Sequence, residues 1–359
     1  MKAAGVVPFQ LERLGLIMEA DPAIVEEREG VLNPAAARGP DGELYLFPRI
    51  VGAGNDARVG IVRVRFNDKG NPVDVERLGY ALEPQEAYER RGDTGGCEDP
   101  RVTYVAPLQQ YVMVYTAWSP QGPRIALAVS EDVRAWRRLG LVEFAPDPDP
   151  VYGVDFAQYH NKDGLLFPEA APGPDGRPAL ALLHRPVYDT GEDTPHGIPD
   201  PRPSIWISYC AVEEAQRDVQ ALTTLRGHHL LVEPAYDWEE LRIGAGTPPL
   251  RTPLGWVLIY HGVTGHITRA PKEQQRVQYT AGALVLAVDD PQRVLYRSPS
   301  PILEPETGNE TEGVVPNVVF PTGVDDRGEG RIDVYYGMAD LRVGVARLQV
   351  PDELPAETG

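Results

Sequence analysis

Five times along the chain a turn ending in Gly or a polar residue opens into a short run of β-branched and aromatic residues. The runs are GELYLFPR from Gly42, QYVMVYTAW from Gln110, RPALALLHRP from Arg177, GWVLIYHGV from Gly255 and GRIDVYYGMAD from Gly330. Their starts are 68, 67, 78 and 75 residues apart. Each is followed by a second run: VGIVRVRF from Val59, RIALAVS from Arg124, SIWISYC from Ser204, YTAGALVLAV from Tyr279 and RVGVARLQV from Arg342. One hairpin thus recurs at a period of about 70 residues, with only short helical patterns at residues 22–30 and 212–219. An isolated antiparallel sheet has two faces to cover, so such a repeat is satisfied by blades set radially around an axis. A pair of β-sandwiches with coincidental spacing is the alternative. We therefore expect an all-β chain forming a five-bladed β-propeller, with the active site in its central channel.

Just before each hairpin lies a stretch mixing apolar with polar residues: VLNPAAA, GCEDPRVTYV, DFAQYHNKDGLLFPE, IGAGTPPLRT and EGVVPNVVFP. The first strand of a propeller blade lines the channel, so these stretches should meet around one axis and form a ligand site at its mouth. Five blades of this size use nearly all of the 359 residues, which argues for one domain spanning 1–359 with short terminal extensions.

Composition narrows the ligand. With 34 Lys and Arg against 53 Asp and Glu, the formal charge is −19. Such a chain repels nucleic acid and anionic lipid, which need a basic face. Cys97 and Cys210 are too few to staple a chain of this length and read as free thiols in a reducing compartment. The start, MKAAGVVPFQLERLG, lacks a secretory pattern, and no stretch approaches the ~20 apolar residues of a membrane helix. A cytoplasmic location without membrane or nucleic-acid partners follows as the expectation.

Several chemically capable residues fall in the inner stretches. Asp99, flanked by Glu98 and Arg101, could cap a turn or serve as an acid whose proton affinity Arg101 tunes. Lysine supplies only 4 of the 34 basic residues, so Lys162, between Asn161 and Asp163, stands out. Together with Arg185 and Arg251 it could bind an oxyanion such as phosphate, or each could be a solvated surface cation. His184 and His261 lie on apolar strands, where structural histidines are common. His228 and His229 are adjacent and would diverge. No pair has metal-ligand spacing, and phosphate-loop, nucleophile-elbow and dinucleotide patterns are absent, so neither metal nor cofactor is expected. Glu310, Asn317 and Asp340 could cap turns. Tyr260, Trp256, Tyr335 and Tyr336 read as blade packing or as a sugar platform.

These strings resemble glycoside hydrolase family 130, the inverting β-mannoside phosphorylases and related mannosidases. The resemblance rests on NPAAA, EDPRV, NKDGLLFPE, LLHRP, WEELRIGAGTPPLRTPLGWVLIYHGV, LAVDDPQRVLYRSPSPIL, VVPNVVFPTG and VYYGMAD, in order over residues 33–340. It implies a five-bladed β-propeller and an acid at Asp99 acting through a mannosyl hydroxyl while inorganic phosphate attacks the anomeric carbon. Phosphate replaces the water and general base of an inverting hydrolase, so one protein carboxylate suffices. By the same resemblance Asn33, Arg49, Asp99 and Asp340 hold the mannosyl unit. Lys162, Arg185 and Arg251 bind phosphate, with His261 close by, and Glu98, Arg101, Asp163, Tyr260, Glu310 and Asn317 join the substrate-binding set.

Lys162-Asp163 stands where some family members have Arg-Asn, and Arg251 where some have Lys. Asp163 therefore adds a negative charge near the implied anion, and Asn309 replaces a frequent aromatic. The resulting expectation is a phosphorylase releasing α-mannose 1-phosphate from a β-mannooligosaccharide or mannosyl-sugar, with phosphate as co-substrate. A β-mannosidase using water, and a non-catalytic sugar-binding propeller, are the competing readings. Linkage and acceptor sugar are left open, residues 188–203 and 263–276 are expected to rim the channel, and a homo-oligomer is possible.

Overall fold

The computed structural model describes residues 7–90, 95–146, 152, 154–187, 197–267 and 276–355. Five four-stranded antiparallel blades follow one another, each built from an inner strand, the expected hairpin and an outer strand, with blades one and two also joined by a short parallel pairing of Asp56 and Ala57 with Gly95 and Gly96. Blade one comprises Gly30–Arg38, Leu44–Gly52, Asp56–Phe66 and Pro72–Leu82. Blade two comprises Gly95–Val105, Gln110–Ser119, Gly122–Ser130 and Arg137–Leu141. Blade three comprises His160–Leu166, Pro178–Val187, Ile205–Ala211 and Thr224–Val232. Blade four comprises Arg242–Ala245, Gly255–His266, Arg276–Leu286 and Val294–Arg297.

Blade five is assembled from both ends of the chain. Val319–Asp326, Arg331–Met338 and Arg342–Gln349 supply three strands, and Gln10–Met18 adds the outermost one against Arg342–Gln349. Five hydrophobic layers separate the five blades. One of them joins Ile17, Tyr335, Val343 and Val345 of blade five to Val31, Leu44 and Val62 of blade one, so the ring is closed. The architecture is the five-bladed β-propeller expected from the repeat.

The short helical patterns are present but peripheral: Val25–Glu27 is a single 3-10 turn and Val212–Arg217 a short helix. Cys97 and Cys210 are buried free thiols in different layers. Among the described residues no helix is long and apolar enough to cross a membrane. Of the expected rim segments, residues 188–196 and 268–275 lie outside the described residues.

A buried glutamate recurs beside four of the inner strands. Glu89 accepts hydrogen bonds from Tyr115 Oη (2.6 Å), Arg138 Nε (2.7 Å) and the backbone N–H groups of Gln85 and Glu86. Glu239 takes the same bonds from Tyr260, Arg297, Ala235 and Tyr236. Glu310 takes them from Tyr336, Arg13, Glu306 and Thr307. Glu27 bonds Arg77 and the Asp21 N–H. In each case the Arg comes from the outermost strand, so one carboxylate ties the inner turn to the edge of its blade. Blade three uses a different network, in which His184 bonds Asn161 and Ser208, and Ser208 bonds His228.

Candidate active site

Three inner strands share a local irregularity. Register slips between Leu32 and Ala35, between Glu98 and Arg101, and between Lys162 and Leu165. Inside these bulges Asn33, Asp99 and Asp163 have φ of 45°, 47° and 55°. Asn and Asp tolerate this left-handed region better than other side-chain-bearing residues, and a bulge re-aims the residue it contains. All three side chains line one cavity of about 570 Å³ to which every blade contributes.

One part of the cavity is a carboxylate group. Asp99 Oδ1 accepts from Asn33 Nδ2 at 2.8 Å and from Arg49 Nη1 at 3.3 Å. Glu98, behind the lining, accepts from Arg49 Nη2 at 2.6 Å and lies 3.9 Å from Lys162 Nζ. Burial raises the proton affinity of Asp99, but Arg49, Lys162, Arg101 and the Asn33 amide outweigh it and hold the carboxyl below its usual range. Asp340, in the hairpin turn of blade five, is pushed up to about 6, first by burial and further by Asp99 and Glu98 against the pull of Arg49 and Lys162. Between Asp99 and Asp340 a proton therefore favours Asp340.

The other part is cationic and comes from blades three and four. Lys162 and Arg185 are cross-strand partners. Arg185 Nε donates to Asp163 Oδ2 at 2.6 Å, while its Nη1 is buried without a hydrogen-bond partner among the described residues. Arg242, on the inner strand of blade four, donates to Tyr279 Oη and also leaves its Nε buried and unpaired. His261 Nε2 lies 3.6 Å from Asp163 Oδ2. Burial, then the charges of Arg185, Arg101 and Arg242, push His261 down to about 3 despite Asp163, so the imidazole is neutral. Unpaired buried guanidinium donors are costly unless a ligand satisfies them, and a tetrahedral oxyanion matches their geometry.

The expected site residues divide into three groups. Asn33, Arg49, Asp99, Lys162, Asp163, Arg185, His261 and Asp340 line the cavity. Glu98 and Arg101 stand behind it: Arg101 is 1 % exposed and donates to the carbonyls of Asp99, Ala245 and Gly246, pinning blade two to blade four.

Arg251, Tyr260, Glu310 and Asn317 are not brought into the cavity. Arg251 sits beyond the Thr247-Pro-Pro turn, about half exposed, paired with Glu169 and lying over Trp256 at 5.9 Å. Arg242, nine residues earlier in WEELRIGAGTPPLRT, fills the cationic position instead, because the inner strand ends at Ala245. Tyr260 and Glu310 belong to the carboxylate ties of blades four and five, and Tyr260 is fully buried among core residues. Asn317 is exposed, with its backbone carbonyl accepting from Tyr279 N–H, and Val318 and Phe320 line the cavity in its place. Arg242, Tyr279, Trp118 and His160 were not singled out from the sequence; the first was legible as a second Arg in the same motif.

The fold and site define a closed five-bladed propeller whose channel mouth sets carboxylates beside a cation group. The profile of glycoside hydrolase family 130, described as beta-1,4-mannooligosaccharide phosphorylase, matches residues 9–354. A 1,2-beta-oligomannan phosphorylase of Thermoanaerobacter sp. (strain X514) is 32% identical over 91% of this chain and 92% of its own. A beta-1,2-mannobiose phosphorylase of Listeria innocua is 27% identical over 98% of this chain and 89% of its own. The solved Listeria innocua beta-1,2-mannobiose phosphorylase complex superposes with TM-score 0.68 at 23% identity, covering 94% of this chain and 96% of that one. The chain belongs to glycoside hydrolase family 130.

Proposed function

We propose that this protein is an inverting phosphorylase that cleaves a β-mannoside with inorganic phosphate, giving α-mannose 1-phosphate and the shortened sugar. The observation that carries the reading is the pairing, in one cavity, of an acid group with a separate set of unpaired buried cationic donors. Asn33, Arg49, Asp99 and Asp340 form the mannosyl-binding end. Lys162, Arg185, Arg242 and His261 form the phosphate end. Blades three and four lie across the ring from blade one, which suits attack on the face of the anomeric carbon away from the leaving oxygen.

Asp99 is the acid in this reading. In the free protein Arg49, Lys162 and Arg101 hold it ionised, so sugar binding must raise its proton affinity until it carries a proton. That proton passes through a mannosyl hydroxyl to the leaving glycosidic oxygen as the C–O bond breaks and the phosphate–carbon bond forms, which leaves Asp99 ionised again. Concentrated cations at the other end neutralise phosphate and hold it without a protein base. Oligomannans or mannobioses joined by β-1,2 bonds are the first substrate class to try, since three relatives covering four-fifths or more of this chain carry those names. The buried free thiols fit a reducing, cytoplasmic setting.

The test is a panel of β-1,2-, β-1,3- and β-1,4-mannobiose and their longer homologues, incubated with and without phosphate and followed by proton NMR. Phosphate-dependent appearance of the α-anomer of mannose 1-phosphate is expected. Free mannose formed at the same rate without phosphate would show a hydrolase instead. Asp99→Asn, which keeps a residue able to hold φ of 47°, should lower kcat at least about 1,000-fold.

A further inference from the structure

An ionised carboxylate inside an oxyanion site needs an explanation. Asp163 is 2 % exposed, lines the same cavity as Lys162, Arg185, Arg242 and His261, and is held in the left-handed region by the bulge at Gly164. Its Oδ2 takes the Arg185 Nε–H, and Arg101 Nη2 stands 3.7 Å from its Oδ1. The strand opposite is shaped around it: a Cβ at Gly244 would stand 2.3 Å from Asp163 Oδ2 and 2.6 Å from His261 Nε2. Burial opposes its charge, but Arg185, with Arg101 and Lys162, overcomes that and keeps it ionised well below the usual carboxylate range.

A carboxylate accepts hydrogen bonds and donates none. A fully deprotonated oxyanion also only accepts, so the two would face each other lone pair to lone pair in a buried site, at the cost of an unsatisfied and repulsive contact. Hydrogen phosphate differs, because one of its four oxygens carries a proton near neutral pH. That O–H can point at Asp163 while the other oxygens face Arg185, Arg242 and Lys162. Sulfate has the same shape and charge and no such proton.

We infer that Asp163 is a specificity-determining residue that makes the cation group select protonated tetrahedral oxyanions, hydrogen phosphate and hydrogen arsenate, against sulfate. A site built around a ligand hydroxyl rejects the analogue lacking it steeply, here by about 100-fold or more. The inference rests on the phosphorylase reading for the place of the anion, but its readout does not need turnover.

Calorimetric titration of the full-length protein with sodium phosphate and with sodium sulfate at pH 7.5 gives the two dissociation constants directly. In the wild type the sulfate constant is expected to exceed the phosphate constant at least about 100-fold, and in Asp163→Asn the ratio should fall below about 10-fold, chiefly because sulfate binds more tightly. An Asp163 that served only to orient Arg185 would weaken both anions together on substitution and leave the ratio unchanged, which overturns the inference. A wild-type ratio near one overturns it without any variant, so the conclusion does not depend on Asp163→Asn folding. Selective phosphate binding without phosphate-dependent turnover would leave the selectivity standing and refute the phosphorylase reading. Phosphate-dependent turnover with equal binding of both anions would do the reverse.

Discussion

At the scale of single residues, the site is governed by where each charge finds its counter-charge. Arg242 and Arg251 make this concrete, since only the first has an unpaired buried nitrogen in the cavity while the second is neutralised by Glu169 at the surface. Arg242→Ala should therefore raise the KM for phosphate by about 10- to 100-fold, and Arg251→Ala should leave it within about twofold, as initial rates against phosphate concentration will show. Asp340 provides a pH signature. Its folded-state value of about 6 is above the ordinary Asp value of 3.8, so the native chain binds the extra proton and loses stability as pH rises from about 4 to 6. Asp340→Asn should gain on the order of 1 kcal/mol over wild type in urea unfolding at pH 7.5, allowing for solvent screening, and nothing at pH 4.

At the scale of the element, the blade depends on its buried carboxylate tie. Glu239 is fully buried and satisfies two backbone donors, a tyrosine hydroxyl and an arginine at once. Glu239→Gln would remove the charge that balances the largely buried Arg297 and leave one acceptor fewer for these donors, and a loss of about 3 kcal/mol in chemical denaturation is expected, without a change in the phosphate KM. Burial opposes ionisation of Glu89 and Glu310, but Arg138 and Arg13 with the backbone N–H groups hold both below the usual range. Their contribution is present above the ordinary carboxyl value and lost as pH falls through the depressed one. The same ties account for Tyr260 and Glu310: an aromatic and a carboxylate that look like sugar-binding groups in a linear motif are instead one blade's internal bracing. The bulges were hidden for a related reason. The Asx residues at 33, 99 and 163, each followed by Pro or Gly, are visible in the sequence, but their shared φ is a property of strand pairing.

At the scale of the molecule, closure of the ring decides both stability and function. The strand Gln10–Met18 completes blade five by pairing with Arg342–Gln349, and its Arg13 binds Glu310. Removing residues 1–18 would expose a paired strand edge and part of the hydrophobic layer between blades five and one. Differential scanning calorimetry of that truncation should show loss of the single cooperative transition, with aggregation on heating. The formal charge of −19 acts at the same scale. It describes the exterior, whereas the channel mouth concentrates Lys162, Arg185 and Arg242 where a small anion can reach them.

The repeat of hairpins determined the class of fold by itself, because side-chain alternation and turn residues fix strands locally and a sheet with two apolar faces must find neighbours on both sides. Motif identity likewise grouped Asn33, Arg49, Asp99, Lys162, Arg185, His261 and Asp340, which the fold places around one cavity. Which of two arginines in one segment faces the channel, whether a buried glutamate binds sugar or braces a blade, and which of two carboxylates holds the proton were decided only by the tertiary structure. Each depends on the distance and burial of groups brought together by ring closure from positions far apart along the chain, and the linear order of residues does not specify those distances.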